Sequence, residues 1–290
     1  EAKDLEETVE RINRTGYGLT LGLHTRIDDR VQAVVDRARV GNLYVNRNQI
    51  GAVVGSQPFG GEGLSGTGPK AGGPFYLPRL QRRPTPVPAT SAARPRAVPL
   101  QAVQQALDRV AALPKAEAAT LWSVVPEHAD LIDRARALVE PVRDLPGPTG
   151  ESNRLRLVAR GTVLCLGPDP DMALAQMTAA LAVGGRAVVV VPGGTEALTA
   201  RGTKGLPVIA LEGELEAEAL SDLRRVEVVA DAGDLERLAA LRRALAARTG
   251  PIVPLVVDPA DLAALVHERH LCIDTTAAGG NASLLAASGG

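Results

Sequence analysis

Aromatic side chains are scarce, Phe, Tyr and Trp together making up 2% of the 290 residues. Buried volume must therefore come from Ala, Val and Leu. Charge of one sign is missing too: the formal net charge is −1, so no global field draws in nucleic acid or anionic lipid. Arg greatly outnumbers Lys, which reads as codon bias rather than phosphate recognition. The two cysteines, Cys165 and Cys272, build no disulfide framework, and no CxxC or Cys/His metal spacing occurs. A reducing cytoplasm fits. No apolar run reaches the ~20 residues that span a bilayer, and the charged, helical start EAKDLEETVERIN is no signal peptide. What is present is ordinary for a globular chain, 45% apolar and 22% charged residues, with length for roughly two domains. The chain opens without Met at the approach to a helix, as expected of a fragment.

Apolar spacing predicts a first helix over residues 4–15, with Asp4 and Glu7 spaced as a capping box and Leu5, Val9 and Ile12 on one face. Gly16 and Gly18 end it. Leu19, Leu21 and Leu23 alternate as a strand. A second helix starts near Asp28, with Val31, Val34, Val35 and Ala38 on one face and Gly41 as its stop. Residues 43–45 read as a strand and 46–73 as a long glycine-rich loop. Residues 82–99, proline-rich and without acids, read as a semi-extended linker. Residues 101–141 read as helical. Strand candidates at 157–166, 187–191, 207–211, 226–230 and 252–257 then alternate with helical stretches at 171–183, 195–201, 214–223 and 234–248. That alternation implies an α/β fold with a doubly wound parallel sheet. The expected division is a first domain over 1–81, a linker over 82–99, a second domain over 100–271 and a tail over 272–290.

The glycine-rich segment VGNLYVNRNQIGAVVGSQPFGGEGLSGTGPKAGG, residues 40–73, admits two phosphate-binding readings, and both fail. GLSGTG at 63–68 is followed by Pro69 where a P-loop needs Lys, and Gly66-x-Gly68 lacks the third glycine of a dinucleotide fingerprint. No helix opens after either.

A third reading fits every position. The strand ending at Asn46, then PFGG at 58–61, then SGTG at 65–68, resembles the carboxy-terminal signature of the aldehyde dehydrogenase superfamily, and YGLTLGLHT at 17–25 resembles that family's helix-to-strand junction. Within it, NRNQIGAVVGSQPFGGEGLSGTGPKAGGPFYLPR is similar to the glutamate-semialdehyde dehydrogenase domain of the proline utilization A family, the bifunctional proline-catabolic enzymes. ARGTVLCLGP at 159–168 resembles a degenerate aldehyde dehydrogenase cofactor domain, and TTAAGGNAS at 275–283 the terminal motif of the long members of that family.

The resemblance implies part of an NAD-dependent oxidoreductase that converts L-glutamate γ-semialdehyde to L-glutamate. It places the nucleophilic Cys, the base Glu and most of the NAD contacts upstream of Glu1, so no catalytic residue is expected in this chain and the chain alone is expected to be inactive. FAD belongs only to an upstream proline dehydrogenase domain, where one is present. Expected partners are those upstream domains of the same polypeptide and the small-molecule substrate, with no nucleic acid. A cytoplasmic bacterial location follows, and homo-oligomers and peripheral membrane association through the upstream domains stay open.

Substrate anchoring is what this segment can contribute. Backbone N–H groups grip a carboxylate closely only where side chains are small. Gly51 and Ala52 meet that condition and match the family's loop for the α-carboxylate, while Phe59 is placed against the aliphatic chain. Gly60, Gly61, Gly66 and Gly68 are assigned to backbone shape, and Asn46 to holding the loop by side-chain hydrogen bonds. Cys165, in the apolar run VLCLG, reads as a buried hydrophobe with a raised pKa, and Cys272 likewise. His267 and His270, spaced HxxH, read as a surface helix rather than a metal site.

The second domain replaces the glycine fingerprint with Leu166, Gly167, Pro168 and Asp169, and Asp169 and Asp171 sit where a pyrophosphate would approach a helix start. It is therefore expected not to bind NAD, and the resemblance implies a structural role covering the passage between two active sites, with the 272–290 tail docking near the dehydrogenase flap. Two other functions compete. A non-catalytic scaffold or assembly module would have a stop codon just upstream, and a nucleotide-binding pseudo-dehydrogenase would show saturable NAD binding by these residues alone.

Overall fold

Asp4 opens the first helix by accepting a hydrogen bond from the Glu7 amide, 3.0 Å away, as the capping spacing predicts. The computed structural model describes residues 4–81 and 96–276, with the Ala118 side chain left out. Along the chain run α1 (Leu5–Asn13), β1 (Tyr17–Gly18), β2 (Thr20–Leu23), α2 (Asp28–Arg37), β3 (Asn42–Val45), β4 (Glu62–Gly63) and α3 (Tyr76–Arg79). Next come α4 (Leu100–Ala111), α5 (Ala118–Val124), α6 (Ala129–Val139), β5 (Arg143–Leu145), β6 (Glu151–Ala159), β7 (Thr162–Cys165) and α7 (Pro170–Ala182). The order ends with β8 (Arg186–Val190), α8 (Gly194–Ala200), β9 (Val208–Leu211), β10 (Val228–Ala230), α9 (Leu235–Ala246), β11 (Leu255–Val256) and β12 (Val266–Asp274). The fold is α/β.

The chain divides into two compact units. The first comprises residues 1–82, 141–157 and 267–290, the second 83–140 and 158–266. This departs from the expected 1–81 and 100–271 domains, because β12 and most of β6 pair into the first unit's sheet. The stretch read as one strand over 157–166 is broken at Gly161, whose φ of +141 suits glycine alone. Of the proposed linker, residues 82–95 lie outside the described residues, while Ala97 forms a parallel bridge to Glu214. The 277–290 part of the tail also lies outside them.

In the second unit, five strands run parallel in the order β11-β10-β7-β8-β9. Counted along the chain from β7, that is the 3-2-1-4-5 sequence of a doubly wound sheet read from its far edge. Val188, Val190, Leu164 and Val229 are buried at its centre, with Val103, Leu107 and Val110 of α4 and Leu238 and Leu241 of α9 in the same core. Continuous apolar strands such as AVVV at 187–190 are what a sheet covered on both faces demands. The region read as a helix over 214–223 forms only a 3-10 turn, Ala217–Ser221.

In the first unit the sheet order is β2-β3-β12-β6-β5. β3 pairs parallel with β2 on one side and β12 on the other. One face is apolar: Leu43, Val45 and Ile273 are buried with Val9 of α1 and Val34 of α2. The opposite face is polar and equally buried. It carries the site.

Candidate functional site

Strand pleating puts residues two apart on one face. On β3 the face opposite Leu43 and Val45 presents Asn42 and Tyr44, which pair in register with His270 and Cys272 of β12. Asn153 of β6 adds to them, and Asn42, His270 and Asn153 are all buried. Buried polar groups of this kind persist only when hydrogen-bonded. Here each finds partners.

Asn42 is the hub. Its Nδ2 donates to the Pro58 carbonyl at 2.8 Å and lies 3.4 Å from His270 Nδ1. Its Oδ1 accepts from Lys70 Nζ at 2.7 Å and from the Gly60 amide at 3.3 Å. Lys70 Nζ also donates to the Gly60 carbonyl, and its backbone amide donates to Glu268 Oε2 at 2.8 Å. Beyond His270, Nε2 meets Asn153 Oδ1 at 3.2 Å, and Asn153 Nδ2 donates to Glu151 Oε1 at 2.8 Å. Gln57 Nε2 donates to the same Glu151 oxygen at 2.7 Å. Arg47 pairs with Glu151 and donates to Cys272 Sγ at 3.3 Å.

Burial sets the titration of these groups. It pulls Lys70 down to about 8 against the opposing pull of Glu268 and Glu62. His270 falls to about 4, through desolvation first and then the Lys70 charge. Desolvation pushes the Cys272 thiol up to about 11 and the Cys165 thiol higher still. A thiol so protonated is a poor nucleophile.

The site residues expected from sequence separate into two groups. Gly51 and Ala52 lie in an exposed loop, Gly51 at φ +83. Their amides meet no acceptor among the described residues. Phe59 is half-buried, and its backbone forms an antiparallel bridge with Ala71. Gly61 has a shape role: a Cβ there would lie 2.6 Å from Ser65 Cβ and 2.7 Å from the Ser65 carbonyl oxygen. A Cβ on Gly66 would sit 3.3 Å or more from its neighbours, and one on Gly68 would meet open space, although φ +129 demands glycine there. Gly60 does more than bend the chain, since both its amide and its carbonyl are bonded.

Three sequence readings change. Asn46, at φ +59, accepts from the Thr25 amide at 3.0 Å and so closes the loop after β2 rather than the 47–73 segment. The HxxH pair lies on a strand, not a surface helix, and His270 is 1% exposed. Cys272 is buried as expected, yet among polar partners. Asn42, Gln57, Lys70, Glu151, Asn153 and His270 were not singled out by sequence. For His270 the signal was the alternation of polar His270 and Cys272 with apolar Leu271 and Ile273 in a strand reading.

In the second unit, the switch point where a doubly wound sheet would seat a nicotinamide dinucleotide lies between β7 and β10. Gln176 donates to the Gly167 carbonyl at 2.8 Å and accepts from its amide at 3.1 Å. Asp169 takes the Met172 amide at 2.9 Å, and Ala232 donates to the Gly167 carbonyl at 2.8 Å. The groups that would cradle a pyrophosphate are consumed by the chain itself, so these residues do not fit the cofactor.

Comparison with known proteins agrees with the first unit's signature. Residues 1–82 match the model described as "Aldehyde dehydrogenase family". The chain is 45% identical to the Bifunctional protein PutA of Escherichia coli (strain K12), over 97% of this chain and 22% of that protein. It is 40% identical to the PutA of Rhizobium meliloti, over 98% of this chain and 23% of that protein. A 76-residue stretch is 49% identical to the 1-pyrroline-5-carboxylate dehydrogenase of Bacillus cereus (strain B4264), over 26% of this chain and 15% of that protein. The chain thus spans less than a quarter of the length of the PutA relatives it matches. The solved structure of Proline Utilization A from Corynebacterium freiburgense shares the fold, at TM-score 0.54 and 22% identity over 94% of this chain and 24% of that one. Residues 1–82 thus match the aldehyde dehydrogenase family model, and nearly the whole chain is similar to one stretch of the proteins named Bifunctional protein PutA.

Proposed function

We propose that the chain is part of an NAD-dependent L-glutamate γ-semialdehyde dehydrogenase of proline catabolism, in which its first unit anchors the substrate. NAD and the nucleophilic Cys come from elsewhere in a longer polypeptide, as does FAD where a proline dehydrogenase domain accompanies it. Neither cysteine here suits attack, both being buried with thiols held protonated. The chain by itself is accordingly inactive on this reading.

One observation carries the anchoring role. At Gly51 and Ala52 an exposed turn offers two small residues whose amides have no acceptor among the described residues. A substrate carboxylate accepts such amides as charge-assisted hydrogen bonds. Phe59, eight positions downstream of Gly51, is fixed by its backbone bridge and supplies an apolar surface for the substrate's methylene carbons.

The test is Ala52→Asp in the full-length enzyme. A second carboxylate at the anchor repels the substrate's own, so KM for the semialdehyde rises by about tenfold or more, one tenfold step being ~1.4 kcal/mol of lost binding. An unchanged KM removes the anchoring role.

A further inference from the structure

The polar sheet face forms one continuous run of hydrogen bonds, Lys70–Asn42–His270–Asn153–Glu151. Both ends of that run return to the same short turn. Asn42 and Lys70 hold Pro58 and Gly60, while Glu151 holds Gln57. Phe59 lies between the two clamps. Its own side chain needs no partner in the run, because the backbone on either side is fixed.

The bonding assigns a single proton arrangement to the run. Asn42 Nδ2 must donate to the His270 ring, so Nδ1 is bare and the proton sits on Nε2, directed at Asn153 Oδ1. A second ring proton would be favoured by the Ser56 backbone, but it would face the Asn42 amide and would set an imidazolium beside the Lys70 ammonium in a dry interior. Neutral His270 thus matches both its neighbours at once. Leu or Phe in its place would leave Asn153 Oδ1 short of a donor, while the Asn42 amide would keep only Pro58.

The run also crosses the sequence. Asn42 and Lys70 lie in the dehydrogenase segment, whereas Asn153 and His270 lie on β6 and β12, which bracket residues 160–265. We propose that His270 is a positioning residue for the substrate loop, acting through Asn42 and Asn153, so that β6 and β12 set the seat of the 57–60 turn. This rests on reading residues 51–60 as the substrate loop. Substrate-binding groups held loosely by even an ångström lose much of their effect, so a turn clamped at three residues needs the group that joins the clamps.

Three variants of the full-length enzyme, Ala52→Asp, His270→Leu and His270→Gln, test this alongside amide exchange at Phe59 and Gly60. His270→Leu raises KM for the semialdehyde about tenfold with kcat within roughly twofold, the signature of lost uniform binding. His270→Gln, whose amide nitrogen reaches Asn153 as Nε2 does, recovers most of the lost KM. Exchange at Phe59 and Gly60 quickens in the Leu variant while Val188 and Val189 of β8 stay protected. A purely structural role would lower the active fraction, and hence kcat, at constant KM, and that result overturns the proposal. An unchanged KM in His270→Leu, with Ala52→Asp still raising it, also overturns the proposal and leaves the anchor standing. An unchanged KM in Ala52→Asp strikes at the anchor itself.

Discussion

Asn42 and His270 stand 228 residues apart in sequence and directly opposite each other across two parallel strands, Nδ2 to Nδ1 at 3.4 Å. Burial of the His270 ring makes stability depend on pH in a defined direction. His270 is held at about 4, with Lys70, Arg47 and Glu151 as its charged neighbours, whereas an unfolded histidine titrates near ~6.5. The folded state therefore prefers the neutral ring. Its contribution is complete above ~6.5 and is lost as pH falls from there toward about 4, a linkage worth roughly 3 kcal/mol. Urea midpoints of wild type and His270→Gln compared at pH 7.5 and 4.5 should show the variant losing less stability on acidification. Equal losses in both would detach the pH effect from His270.

Glu62 and Arg269 form the second long-range polar tie of the first unit. Both guanidinium nitrogens Nε and Nη2 reach the carboxylate, at 3.0 and 2.7 Å, and Glu62 is buried. Arg156 feels the Arg269 charge as a repulsion and Glu62 as an attraction, so the carboxylate separates two like charges. Glu62→Gln leaves the Arg269 guanidinium without its carboxylate, while Arg156 keeps Asp36 at 3.5 Å, and should cost about 3 kcal/mol of unfolding free energy. Arg269→Met strands the carboxylate of Glu62, the more buried partner of the pair, and should cost at least as much. Chemical denaturation of the two variants decides the order, and a smaller loss for Arg269→Met would refute the argument.

Much of the fold was legible because its signals are local. The Asp4 cap, the 28–38 helix face and the AVVV strand each rest on spacing within a few residues, and the structure places all three where that spacing puts them. What was not legible is pairing at a distance. Nothing near residues 151–159 or 266–274 says that these strands leave the second sheet and join β3, because strand propensity is the same in either sheet. That choice is made by polar complementarity: Asn42 needs a partner, and His270 supplies it. The HxxH spacing then misleads, since an i, i+3 pair suggests a helix face while the flanking Leu271 and Ile273 fit period two. The loop glycines were legible as a set but not one by one, because Gly61 is required by the atoms around it and Gly68 by its φ of +129.

Gly61 and Gly66 allow a direct comparison of those surroundings. A methyl at 61 would press on Ser65 at 2.6 and 2.7 Å and on the Gly18 carbonyl oxygen at 2.9 Å, which backbone cannot yield cheaply. At 66 the nearest atom is the Gly63 carbonyl oxygen at 3.3 Å. Overpacking of this kind costs typically ~1–3 kcal/mol. Gly61→Ala should therefore fall in that range and Gly66→Ala below it, measured by thermal unfolding of the 290-residue chain. The reverse order would mean that the loop relaxes around residue 61.

Asp169 and Gln176 close the crevice at the second unit's switch point with hydrogen bonds to Met172 and Gly167. Asp169→Ala removes the cap on α7 and should cost about 1 kcal/mol. Gln176→Leu strands the Gly167 amide, while Ala232 still donates to the Gly167 carbonyl. An unpaired buried donor costs ~1–3 kcal/mol, so this variant should be the less stable of the two. Neither substitution frees the crevice for a dinucleotide, because the Ala232 bond across β7 and β10 survives both. Melting curves of the chain with and without millimolar NAD should coincide for wild type and for each variant. A saturable upward shift in wild type would show that the crevice opens, and one confined to Gln176→Leu would show that the Gln176 clamp alone had kept the cofactor out.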